Sequence, residues 1–188
     1  MNTFSYSVTF HSYWLHQDKA GQSVGVDNSP ILEDDHPIFG GKALKGLFRE
    51  QITVLQKCNA LATESENLIK LFGEPYILQG DIKFNTLRLK EIIPKAHHHL
   101  FYNNLTTTAI ETDTKVAKEH SLRTTKVVIP MKLHGTITVE NMTNETKLEN
   151  LKQDLHLMAG LIKEIGKDRY KGLGSCVVKI EEPCNSIQ

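Results

Sequence analysis

The sequence predicts one α+β domain, an antiparallel sheet with two helices packed on one face. Three observations lead there. Apolar residues recur at helical spacing in two stretches and alternate at strand spacing in several others, and the two kinds of stretch interleave along the chain. With 188 residues, 39% of them hydrophobic, the chain is long enough to bury one core without disulfides or metals.

Phe4, Tyr6, Val8 and Phe10 alternate with Thr3, Ser5, Ser7 and Thr9, which predicts a first strand. From Ser12 to Phe39 no helical period exists, and Gly21, Gly25, Pro30 and Pro37 punctuate a long loop. Loops of that length in compact domains usually carry function or are disordered. After Gly40-Gly41, the positions Leu44, Leu47, Phe48, Ile52 and Leu55 predict a helix from about Lys42 to Lys57. The stretch from Tyr76 to Leu89, with Ile82 and Phe84 in alternation after Gly80, predicts a second strand.

Residues from about 90 to 125 show no clear period and are expected to form an insertion. Val127, Ile129, Met131, Leu133, Ile137 and Val139 keep one parity and predict a long third strand, with Pro130 and Gly135 marking a bend or bulge. Leu148, Leu151, Leu155, Met158, Ile162 and Ile165 step by three and four, so the second helix is expected to run to Ile165 and stop at Gly166. Cys176, Val178 and Ile180 give the last strand. The resulting β-α-β-β-α-β order is that of a ferredoxin-like, RNA-recognition-motif-like domain spanning 1–188. Such a sheet leaves one face open to a partner.

Lys+Arg and Asp+Glu both number 22, so any nucleic-acid contact must come from local basic patches. Three cysteines, Cys58, Cys176 and Cys184, stand far apart without a CxxC pair, which favours a reducing, cytoplasmic setting. No leader-like segment is read at the N-terminus, and no apolar run approaches the roughly 20 residues of a membrane span.

Two glycine-rich stretches carry the candidate chemistry. Gly40-Gly41-Lys42-Ala43-Leu44-Lys45-Gly46-Leu47-Phe48-Arg49 sets glycines at a helix start, where backbone N–H groups and the helix dipole favour phosphate. Lys42, Lys45 and Arg49 share one side of that helix and would add charge along an RNA backbone; an ordinary solvated face gives the same spacing. Gly166-Lys167-Asp168-Arg169-Tyr170-Lys171-Gly172-Leu173-Gly174-Ser175 interleaves Lys167, Arg169 and Lys171 with Tyr170. Its backbone N–H groups, with Gly172 and Gly174, could cradle a phosphate and Arg169 or Tyr170 could stack on a base, or the loop could simply join helix to strand.

These stretches, in this order, resemble the repeat-associated mysterious protein (RAMP) superfamily of CRISPR effector proteins. The first is similar to that family's Gly-Ser-Ser-Leu-Lys-Gly-x-x-Arg motif, with Gly41-Lys42-Ala43 at its start, and the second to its C-terminal G-loop. Leu71-Phe72-Gly73 with Gly80-Asp81-Ile82-Lys83-Phe84, and Thr108-Ala109-Ile110-Glu111 to Leu122, resemble further family segments, the last a protruding thumb. Gly25-Val26-Asp27-Asn28-Ser29-Pro30 looks like the active loop of type III backbone subunits, although Trp14-Leu15-His16-Gln17-Asp18 stands where many relatives carry His-x-Gly-x-Gly.

The resemblance implies a repeated, RNA-guided backbone subunit that binds guide RNA and target RNA beside other copies of itself and other effector subunits. Target RNA would be cut at Asp27, acting as base toward a ribose 2′-hydroxyl or holding a divalent ion such as Mg2+, with no organic cofactor. A non-catalytic RNA-binding backbone or capping subunit is the alternative, and a guide-processing endoribonuclease is the third reading. His97-His98-His99 does not suit a metal, because consecutive side chains do not converge on one ion. It is expected as a solvated or RNA-facing patch, and His11, His16 and His36 receive no role.

Overall fold

The computed structural model describes residues 2–17, 28–74, 78–119 and 121–181. In chain order its principal elements are β1 (Asn2–Phe10), α1 (Gly41–Lys57), α2 (Ser65–Phe72), β2 (Ile82–Phe84), β3 (Tyr102–Thr107), β4 (Arg123–Val128), β5 (Lys132–Val139), α3 (Glu145–Leu161) and β6 (Cys176–Glu181). The main sheet runs β6-β1-β5-β2, with every neighbouring pair antiparallel.

β1 lies second in the sheet and supplies Phe4, Tyr6, Val8 and Phe10 to the core. Tyr6 sits opposite Ile180 on one side and Gly135 on the other. A Cβ at position 135 would come within 2.8 Å of the Tyr6 ring, so the glycine makes room for the aromatic side chain in mid-strand. The phenol reaches across to donate to the Asn85 carbonyl at 2.9 Å. Burial holds its pKa above the ordinary phenol value.

α1 buries Leu44, Phe48, Ile52 and Leu55, one face at helical spacing, and α3 buries Leu151, Leu155, Met158 and Ala159. Both belong to the same core cluster as the apolar residues of β1, β5 and β6. Gly41 starts α1 hard against β2: a Cβ there would lie 2.0 Å from the Phe84 carbonyl oxygen. Asp154 is fully buried on α3, where Oδ1 accepts the Ala62 N–H at 2.7 Å and Oδ2 accepts the Thr63 N–H at 2.9 Å. That carboxylate fastens the segment leading into α2 onto α3.

Several boundaries differ from the sequence expectations. α2 was not anticipated, since its eight residues bury only Leu68 and Phe72. The second strand shortens to Ile82–Phe84, continued by single bridges at Leu87 and Arg88. The long third strand is two strands. Pro130, which has no N–H to give a ladder, falls between β4 and β5; β4 pairs with β3 in a separate hairpin, while β5 enters the main sheet. α3 stops at Leu161, and Ile162 caps it. Ile165 stays buried because Lys163–Ile165 leaves the helix to pair with Gly174–Cys176, through Ile165 N–H to Gly174 O at 2.9 Å and Cys176 N–H to Lys163 O at 2.8 Å.

Candidate nucleic-acid interface

The chain leaving β1 roots the hairpin. Trp14 and Val128 exchange backbone hydrogen bonds at 3.0 and 2.9 Å, the indole Nε1 donates to Ile129 O at 3.1 Å, and the ring stacks on Phe10 at 4.4 Å. Asn28 rejoins the hairpin further out: its carbonyl accepts from Lys126 N–H at 2.9 Å and its Nδ2 donates to Thr125 Oγ1 at 3.2 Å. Asp27, the expected catalytic residue, lies outside the described residues.

The stretch beyond Asn28 is pinned to the body of the domain. Leu32–Glu33 pairs with His36–Pro37 around Asp34 and Asp35, both at positive φ (49° and 64°). Arg88 grips Glu33 with two hydrogen bonds, which lowers the Glu33 pKa and raises that of Arg88. Tyr102 Oη donates to the Asp35 carbonyl at 3.0 Å, and burial, then the Asp35 charge, pushes its phenol up to about 12. His98 is buried against His36 and Phe101, with Nε2 2.8 Å from Ile93 O. The three-histidine run is therefore not a uniformly solvated patch.

The glycine-rich loop faces the hairpin. Gly166, Asp168, Gly172 and Gly174 have φ of 101°, 57°, 82° and 77°, and Arg169–Lys171 forms one 3-10 turn between them. At Gly174 a Cβ would lie 1.9 Å from Ile165 O. The backbone N–H groups of Lys167, Lys171, Gly172 and Gly174 all donate within the protein, to the carbonyls of Leu15, Asp168, Arg169 and Tyr13. The N–H groups of the expected phosphate cradle are thus taken up, Gly172 by the loop itself and Gly174 by the chain leaving β1. What the loop presents outward is side chains.

Hairpin and loop enclose a cleft of about 860 Å³, lined by Leu105, Thr107, Arg123 and Thr125 on one wall and Lys167, Tyr170 and Lys171 on the other, with Asn28 also facing in. Tyr170 is 85% exposed. Lys171 lies 5.7 Å from the centre of its ring and 3.2 Å from Asp168. A second cleft of about 500 Å³, lined by His16, Gln17, Phe39, Ala43 and Leu47, opens on the other side of Lys167 and Arg169, at the start of α1. Here the His16 ring stacks on Phe39 at 4.2 Å.

The basic residues of α1 part company. Lys42 is exposed, whereas Lys45 Nζ donates to Ile82 O at 2.7 Å and Arg49 to Gly73 O at 3.4 Å. Loss of water, then the charges of Arg49 and Lys83, lowers the Lys45 pKa. Lys45 and Arg49 therefore brace α1 against the segment before and within β2, and neither lines the two clefts. Arg123 was missed in the sequence. Its signal was the polar run Arg123-Thr124-Thr125-Lys126, legible only once that run is known to be a hairpin strand.

The fold itself has close counterparts. Chains of type III-B and type IV-B CRISPR complexes share it. One comes from "Type III-B Cmr-beta bound to cognate target RNA", with a TM-score of 0.70 at 8% identity, covering 96% of this chain and 97% of the other. A chain of the same complex in its apo state also gives 0.70 at 8%, over 95% and 96%. A chain of a type IV-B CRISPR complex gives 0.63 at 11% identity, over 100% of this chain and 92% of the other. No protein-family model and no curated protein matches the sequence. The shared fold is a mixed α/β arrangement with antiparallel sheets. Among the described residues no helix is long and apolar enough to cross a membrane, and no three His, Cys, Asp or Glu side chains are placed to hold a metal ion.

Proposed function

We propose that the chain is a repeated backbone subunit of a type III CRISPR effector complex, binding guide RNA and target RNA beside other copies of itself and other subunits. The observation that carries this reading is the cleft between hairpin and glycine-rich loop, on a fold that chains of CRISPR complexes share. The sheet order β6-β1-β5-β2 with α1 and α3 in one core supports the ferredoxin-like assignment. The hairpin β3-β4, standing apart from that sheet, fits the role of the thumb.

In this reading Lys171, with Arg123 from the facing wall, and Arg169 at the second cleft attract the phosphate backbone, and Tyr170 stacks on a base. Lys167 lies between the two clefts. Lys42 extends the positive field to the start of α1, while Lys45 and Arg49 contribute to it at longer range. Gly172 and Gly174 shape the loop. The neutral net charge fits a groove assembled from several copies, and guide pairing supplies sequence specificity while the protein reads backbone and shape.

Cleavage of target RNA is assigned to Asp27. Its carboxylate either takes the proton of a ribose 2′-hydroxyl, so that the oxygen attacks the adjacent phosphorus and the 5′-oxygen leaves, or holds a divalent ion such as Mg2+ at the scissile phosphate. In the reconstituted, guide-loaded complex, Asp27→Ala is expected to slow target cleavage by about 10²- to 10⁴-fold with guide and target binding retained. Loss of cleavage on chelation favours the second role. Unchanged cleavage in Asp27→Ala overturns the catalytic assignment and leaves the second reading, a backbone subunit that binds RNA without cutting it.

A further inference from the structure

Lys167 occupies an unusual place in the cleft. Its ammonium donates to Gln17 Oε1 at 2.7 Å and to Asn28 Oδ1 at 2.5 Å. Its backbone N–H donates to Leu15 O at 2.8 Å. Asn28 is in turn bonded to Thr125 and Lys126 of the hairpin, through its Nδ2 and its carbonyl. Gln17 follows directly on the segment in which Trp14 pairs with Val128 at the hairpin root and the His16 carbonyl accepts from Ile31 N–H. One ammonium therefore joins three parts of the molecule: the glycine-rich loop, the chain leaving β1, and the chain arriving at the hairpin.

We propose that Lys167 is a positioning residue, the tie that sets the hairpin and the glycine-rich loop at the spacing an RNA strand requires, and not itself a phosphate contact. Two of its three donors already have side-chain oxygens as partners. Lys171 differs: its ammonium meets the Asp168 carboxylate and the Tyr170 ring, both inside the same loop, and among the described residues it bridges nothing across the cleft. The inference rests on the RNA-binding reading of the cleft, and adds to it a division of labour between two neighbouring lysines.

The two roles separate in the salt dependence of binding. For single-stranded nucleic acid, each lost phosphate contact flattens the slope of log K against log salt by about 0.7. A lost tie lowers affinity without removing a phosphate contact. With the full chain and a fluorescently labelled single-stranded RNA, Lys167→Met is expected to weaken binding about tenfold with the slope unchanged. Asn28→Leu is expected to weaken it comparably, and the double variant no further than the worse single, because both substitutions cut the same connection. Lys167→Arg restores most of the affinity by reaching the same two oxygens.

A slope flattened by Lys167→Met, losses that multiply in the double variant, or no loss at all overturns the proposal. Wild-type protein that binds no RNA overturns the reading of the cleft instead. In that case the lysine ammonium 15N signal still tests the tie: it is expected to show slowed proton exchange that Asn28→Leu abolishes, and fast exchange in the unsubstituted protein overturns it.

Discussion

The helix-covered sheet and the cleft are held together by different means. Beneath α1 and α3, Phe48, Leu155 and Tyr6 interlock with one another's neighbours as buried side chains at regular spacing. Around the cleft, Asn28, Lys167 and Gly174 connect segments through individual hydrogen bonds, many of them from or to backbone atoms. The first arrangement spreads stability over many contacts, while the second places particular atoms at particular distances. A cleft built that way can lose its geometry while the domain remains folded.

The contrast is tested most strongly in the core. Phe48→Ala is expected to cost about 3–5 kcal/mol in denaturant unfolding, since it leaves a cavity in a layer that cannot collapse around it. Asp154→Ala strands the Ala62 and Thr63 N–H groups and is expected to cost about 2–3 kcal/mol, with α2 losing hydrogen-exchange protection before α1. An equal loss of protection in both helices would show that the carboxylate supports the whole layer and not one segment.

On the cleft side the expected effects shift from stability to binding. Tyr170→Ala, at a ring that is 85% exposed, is expected to leave the melting temperature unchanged and to weaken single-stranded RNA binding by about 1–3 kcal/mol. A matching fall in melting temperature would erase the distinction between the two sides.

The smallest effect concerns pH on the open face of the sheet. Loss of water, then the Lys132 charge, holds the His134 imidazole below its ordinary value of 6.5, with Glu181 opposing and Lys90 adding to the shift. Its neutral form is thus favoured in the folded state, so the contribution is fully present above the unfolded pKa and is lost as pH falls through the lower folded value. Thermal melts of His134→Gln between pH 7 and 5 are expected to decline less steeply than those of the unsubstituted protein. Parallel curves would remove His134 as the cause.

What could be read from the sequence follows the same division. β1, α1 and β6 were legible because each buries one face at a fixed period, and the glycines at 166, 172 and 174 marked a loop because each takes a positive φ. The hairpin was not, because β3 buries none of its six residues and so has no apolar alternation to read. The end of α3 misled for the opposite reason: Ile162 and Ile165 are buried, but in extended chain that happens to continue the helical spacing. At the cleft, residue types marked the glycine-rich loop but not what its atoms do. Lys45 braces a helix against Ile82, Gly174 gives its N–H to Tyr13, and neither fact depends on anything local in sequence.

The hairpin is rooted where Tyr102 faces Val128, and its strands pair outward to Thr107 opposite Arg123. Beyond Asn28, which bridges to Thr125, that ladder is built, among the described residues, from its own two strands. Its reach can therefore be altered as a length, at about 3.3 Å per added residue pair, and lengthening the connecting turn raises the entropy of closure only slowly. A molecule whose core is one buried cluster thus carries a projection that can be shortened or extended in steps, like the tooth of a gauge.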